Sequence, residues 1–112
     1  MKRDYELEFS GIEVKIGKEI YVVPELNFFH IKTFGRKLAN IGQIEFEERM
    51  DLMIDVIHAA VSRNYPEIER DFLYNKLSLT DANNCFNAIL NASGLGSAEG
   101  STEVSGDDEE KK

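Results

Sequence analysis

At 112 residues, 42% hydrophobic and 30% charged, the chain has the composition of one globular domain, small enough that folding removes only roughly 60–70% of the unfolded surface from water. A net charge of −8 with scattered basic residues argues against a nucleic-acid partner, and no run of 18 or more apolar residues is present to form a membrane span. The single cysteine excludes an internal disulfide, the two isolated histidines give no metal-ligand spacing, no cofactor is implied, and "MKRDYELEF" lacks the apolar core of a secretory signal, so a soluble intracellular protein is expected.

The first 24 residues alternate with the period of strands. Tyr5, Leu7 and Phe9 alternate with Glu6 and Glu8, Ser10-Gly11 interrupts, and Ile12, Val14 and Ile16 alternate with Glu13 and Lys15. A third run, "EIYVVP", closes at Pro24, which cannot donate to a central ladder. A β-hairpin or short three-stranded meander is therefore expected. A three-residue loop, Gly17 to Glu19, would pair Ile16 with Ile20 and Val14 with Val22 and keep one face aliphatic. A two-residue Gly17-Lys18 loop would oppose Ile16 to Glu19 and Val14 to Tyr21, so burial favours the longer loop, although such loops usually place glycine last.

From Asn27 the period becomes helical. Asn27 is a suitable N-cap, Leu26 can staple onto Ile31, and Phe28, Ile31, Phe34, Leu38 and Ile41 form a stripe over a first helix ending near Asn40. Gly35 inside it costs about 1 kcal/mol relative to alanine, which a close neighbour such as the sheet would explain. The second helix runs from about Glu45 to Arg63 or Asn64, with Phe46, Met50, Met53, Ile54, Ile57 and Val61 on its core face. Glu45, Glu47 and Glu48 oppose the positive end of its dipole.

Pro66 ends that helix, because it disfavours helical dihedrals at Tyr65. A third, from Glu67 or Glu69 to Lys76, offers Ile68, Phe72, Leu73 and Leu77 inward. A fourth, capped by Thr80 or Asp81 and reaching Leu90, offers Ala82, Phe86, Ile89 and Leu90, with Cys85 as a small core residue. From Gly96 the sequence is mostly glycine, serine and acids, with Val104 its one sizeable aliphatic residue. Residues 96–112 are expected to form a disordered acidic C-terminal tail beyond a single domain of residues 1–95. The fold class is α+β, a hairpin or meander followed by about four helices.

The corner "HAAVSRNYPEIER", His58 to Arg70, gathers residue types used in catalysis. His58 and Ser62 stand four apart on one helix face, yet no Gly-x-Ser-x-Gly elbow or glycine-rich loop accompanies them, and Gly11, Gly17 and Gly35 fit no phosphate-binding spacing. The expected roles are architectural. His58 packs at the stripe edge with one ring nitrogen on a neighbouring backbone group, Arg63 bonds the last helix carbonyls, and Tyr65 lies over the corner with its hydroxyl in water. Phe29, Leu52, Val56 and Ala60 lie off the main stripes and could face a partner, as could His58, Arg63 and Tyr65.

The ordered set of Ile16 to Lys18, Val23 to Phe28, His58 to Pro66 and Ser93-Gly94 resembles the tail assembly chaperones of tailed bacteriophages. They carry an Ile-Gly-Lys hairpin turn, a Val-Pro-x-Leu-Asn-Phe lead into the first helix, a His-Ala-Ala-x-x-Arg-Asn-Tyr-Pro helix end and a Ser-Gly close. Such a resemblance implies a non-enzymatic protein of the host bacterial cytoplasm, absent from the finished virion. It would bind the phage tape-measure protein and keep it soluble while tail tube protein polymerises. It also implies a frameshifted longer form, for which Lys111-Lys112 offers codons compatible with a slippery heptamer. An exposed apolar face leaves room for a homo-oligomer. The competing expectations are a minor tail or completion protein and a small host-directed regulator.

Overall fold

The computed structural model describes residues 7–95. The element order is β1 (Ile12–Ile16), β2 (Glu19–Val23), α1 (Phe28–Ala39), a short 3-10 turn (Ile41–Gln43), α2 (Phe46–Val61), α3 (Arg70–Lys76) and α4 (Leu79–Ala92). This is an α+β arrangement, a two-stranded antiparallel hairpin followed by four α-helices. Among the described residues the sheet has two strands. Leu7 to Ser10 form no strand, so the three-stranded alternative fails there, while Tyr5 and the expected tail at 96–112 lie outside the described residues.

The hairpin takes the two-residue loop and not the longer one. Ile12 pairs with Val23, Val14 with Tyr21 and Ile16 with Glu19. Gly17 has φ 66°, the positive value that both favoured two-residue turn types need at their first central residue. The buried face consists of Val14, Ile16, Tyr21 and Val23, while Ile20 is 46% exposed. The aliphatic criterion misled because it discounted Tyr21, whose ring meets Tyr65 edge to face at 5.0 Å and 82°. Glu19, at the turn, keeps its carboxylate in water.

At the centre of the core lies α2, with Leu52, Met53, Ile54, Val56, Ile57, Ala60 and Val61 all buried. Its buried arc is wider than the expected stripe because the helix is covered by β2, α1, α3 and α4. It ends at Val61, slightly before the expected Arg63 or Asn64, and its first residue, Phe46, is exposed. Arg70 Nε donates to Asp55 at 2.6 Å and its Nη2 reaches Asp51 at 3.4 Å, joining α3 to α2. That bond to Asp55, against the cost of burial, raises the Arg70 pKa further. Of the four residues expected to face inward around α3, Leu73 is buried, Ile68 and Leu77, which flank the helix, pack on the core edge, and Phe72 is exposed.

Ser78 caps α4, its hydroxyl accepting from Asp81 N–H at 3.1 Å, so the start falls earlier than the expected Thr80 or Asp81. The far end closes through Gly94 at φ 81°, with Gly94 N–H on Asn91 C=O and Leu95 N–H on Leu90 C=O, the paired bonds of a Schellman cap. Ala82, Cys85, Phe86 and Ile89 are buried as expected. Burial, and then the charge of Asp81, pushes the Cys85 thiol up to about 11.

Asn27 caps α1, its side chain accepting from His30 N–H at 2.9 Å. No residue of α1 is buried; Ile31, Phe34 and Leu38 only rest against the core. Phe28, placed on the inward stripe by periodicity, is 91% exposed, because α1 meets the core through Ile31, Phe34 and Leu38 and not through its first residue. Gly35 has no neighbour: a Cβ there would meet nothing within 4 Å. Gly35→Ala is therefore expected to stabilise the fold by about 1 kcal/mol, raising the melting temperature by about 4–8 °C in a thermal scan.

Candidate functional site

The corner between α2 and α3 binds the rest of the chain together. Asn64, 1% exposed, uses its amide as a backbone mimic: Oδ1 accepts from Phe9 N–H at 2.9 Å, and Nδ2 donates to Phe9 C=O and to Val22 C=O, each at 2.9 Å. With one N–H and two carbonyls as partners, only this orientation of the amide satisfies all three. Tyr65 Oη accepts from Val22 N–H at 3.0 Å. The outer edge of β2 at Val22 is thus closed by two side chains where a third strand would otherwise stand. Ile68 N–H bonds Tyr65 C=O at 3.0 Å across a turn with Pro66 at its second position, a site that suits a fixed φ.

His58 behaves as expected: Nε2 donates to Ile68 C=O at 2.9 Å. Ser62 Oγ donates to Ala59 C=O at 3.2 Å, so the two side chains are committed to different carbonyls and do not form a nucleophile–base pair. Arg63 departs from its expected place on the final helix carbonyls. It donates to Glu25 C=O and lies over the Phe9 ring at 4.2 Å, because the incoming chain offers a carbonyl and an aromatic face together. Tyr65 is buried with its hydroxyl bonded to Val22, not in water. Leu52, Val56 and Ala60 are core residues and unavailable to a partner of the folded chain. Phe29 alone of the off-stripe residues is open, at 73% exposure.

Sequence periodicity missed an apolar groove of about 190 Å³ between α2, α3 and α4, lined by Met50, Met53, Ile54, Tyr74, Leu77 and Leu79. Leu79 and Tyr74 form its exposed rim, and Met50 is half-buried. A signal was present: Leu79 opens a helix just after its serine cap, where an apolar residue gains little from the local helix start. Methionine side chains bend to fit irregular surfaces, so Met50 and Met53 give the groove an adaptable apolar lining.

A second open feature is the start of α1. His30 lies between Phe29 and Phe34, with ring centroids 6.0 and 6.5 Å away, and its Nδ1 is buried without a hydrogen-bond partner. Burial, and then the charge of Arg63, holds its pKa below the usual imidazole value. The unfolded chain therefore binds this proton more readily. Stability tied to His30 is complete above about pH 6.5 and is lost as pH falls below it. Melting temperatures measured from pH 7 to 5 should fall less in His30→Gln than in the parent.

Among the described residues, no group of three or more His, Cys, Asp or Glu side chains is arranged to hold a metal ion, and no helix is long and apolar enough to cross a membrane. In comparisons with known protein families, curated proteins and solved structures, nothing matches the chain.

Proposed function

We propose that the protein is a tail assembly chaperone of a tailed bacteriophage, which holds an apolar helical segment of the tape-measure protein in the groove between α2, α3 and α4. The observation that carries the reading is that groove: open, apolar and edged by Leu79 and Tyr74. A long helical client exposed before tube assembly presents side chains at i, i+3, i+4 and i+7, the spacing that helix-in-groove binding uses. The ordered sequence likeness to such chaperones supports the tape-measure protein as client, and the apolar lining of the groove suits a helix of that kind.

Co-expression with the tape-measure protein of the same genome tests this. The client should stay in the soluble fraction and co-purify with the intact chain. Leu79→Asp should abolish capture while preserving the fold, since an acid in the first turn of α4 suits the helix dipole. A client that stays soluble alone, or that Leu79→Asp still captures, overturns the reading. So does recovery of the chain from purified virions by mass spectrometry, which would make it a tail component.

A further inference from the structure

The outward face of α1 has a composition unlike the rest of the protein. Its sequence, FFHIKTFGRKLA, contains no acidic residue, in a chain of net charge −8. Phe28, Phe29, Lys32 and Arg36 fall within about 100° of the helix circumference, with Phe29 and Arg36 opposite Ile31, Phe34 and Leu38, Phe28 at the edge nearest that stripe, and Lys37 flanking the other edge. The two phenylalanines are 91% and 73% exposed, and the three cations form no ion pair among the described residues. Aromatic and cationic groups on one face suit an anionic ligand with an apolar foothold.

The described chain ends near the start of α1. Leu26 N–H donates to Ser93 Oγ at 2.9 Å, and Ser93 Oγ donates to Ile89 C=O at 2.7 Å, so the close of α4 is fastened one residue before the Asn27 cap of α1. Beyond Leu95 the sequence reads GSAEGSTEVSGDDEEKK. We propose that the acidic stretch Asp107–Glu110 of the same chain docks on the outer face of α1, with Val104 against Phe28 and Phe29 and the carboxylates against Lys32 and Arg36.

Dimensions and charge favour this occupant. From Leu95 to Asp107 an extended chain covers about 40 Å, and a glycine- and serine-rich chain of that length has a root-mean-square span of about 19 Å. The whole of α1 is about 18 Å long. From Val104 to Asp107 an extended chain covers about 10 Å, close to the rise of about 10 Å from Phe29 to Arg36. A free polyanion or an anionic membrane must approach against the net charge of the whole protein. A tethered stretch is held near its site at an effective concentration on the order of millimolar. The docked segment would withdraw an aromatic surface from unwanted contacts. The proposal shares no residue with the client groove and does not depend on the chaperone reading.

Amide NMR of the full-length chain and its D107N/D108N/E109Q/E110Q variant tests it, since these changes leave residues 7–95 untouched. Resonance shifts are expected within residues 28–37. They should be reproduced in the parent by about 1 M salt, where the screening length is about 3 Å, and be lost in a K32E/R36E background. Unchanged α1 resonances, or shifts centred instead on Lys15, Lys18 and Lys76, overturn the proposal. Shifts that grow with protein concentration overturn it by assigning the face to a second copy. Co-sedimentation of the intact chain with phosphatidylserine vesicles overturns it in favour of a lipid surface.

Discussion

Asn64→Ala is expected to lower stability by about 3 kcal/mol, with a fall of roughly 15 °C in melting temperature and no change in the denaturant dependence of unfolding. The substitution removes one acceptor and two donors from Phe9 N–H, Phe9 C=O and Val22 C=O. Each such group left unpaired on folding costs about 1–3 kcal/mol, and the partial exposure of Phe9 lets water recover some of that, so the low end applies. Asn64→Asp should be at least as harmful, because a carboxylate keeps the acceptor for Phe9 N–H but turns a charge toward two carbonyl oxygens. Tyr65→Phe removes a single bond, to Val22 N–H, and should cost about 1 kcal/mol. Urea titration of the three variants separates the latch from simple core packing: equal losses for Asn64→Ala and Tyr65→Phe would show that the amide contributes nothing special.

Gly11→Ala is the second large effect, at a residue whose exposure would suggest tolerance. A Cβ at Gly11 would lie 2.2 Å from the Val23 carbonyl oxygen, 2.4 Å from its carbon and 2.6 Å from Pro24 N. All three are backbone atoms, so no side-chain rotation relieves the overlap. The hairpin end must open beside the Ile12–Val23 pair, at an expected cost of about 2 kcal/mol. Gly42→Ala is the control, since a Cβ there meets nothing within 4 Å. Thermal unfolding of both should show a drop of roughly 10 °C for the first and little change for the second; a neutral Gly11→Ala would mean that the two segments separate easily.

Much of the fold was legible because local signals and burial agree. Asn27 opens α1 as its side-chain chemistry predicts, Pro66 separates α2 from α3, and Ala82, Phe86 and Ile89 line the inner face of α4. The hairpin register was misread where a tyrosine takes a place that an aliphatic count assigns to Ile20 or Val22. At the corner, His58 follows from helix position. Arg63, Asn64 and Tyr65 find partners 38 to 55 residues away, and no local pattern encodes those. The candidate partner residues fared unevenly for a related reason: an off-stripe position on α2 is still internal when a helix is covered on several sides, whereas on α1, which rests on the body along one face, Phe29 is open.

The latch also imposes an order on events during synthesis. Phe9 and Val22 leave the ribosome more than forty residues before Asn64 can close on them. At about 5–20 residues per second, the β2 edge stays uncapped for roughly 2–8 seconds of translation. Nascent chains arrested before Asn64 should therefore pellet or recruit holding factors more readily than chains arrested once Pro66 has cleared the exit tunnel. A protein proposed to shelter another's exposed helices would itself begin life with an unguarded strand.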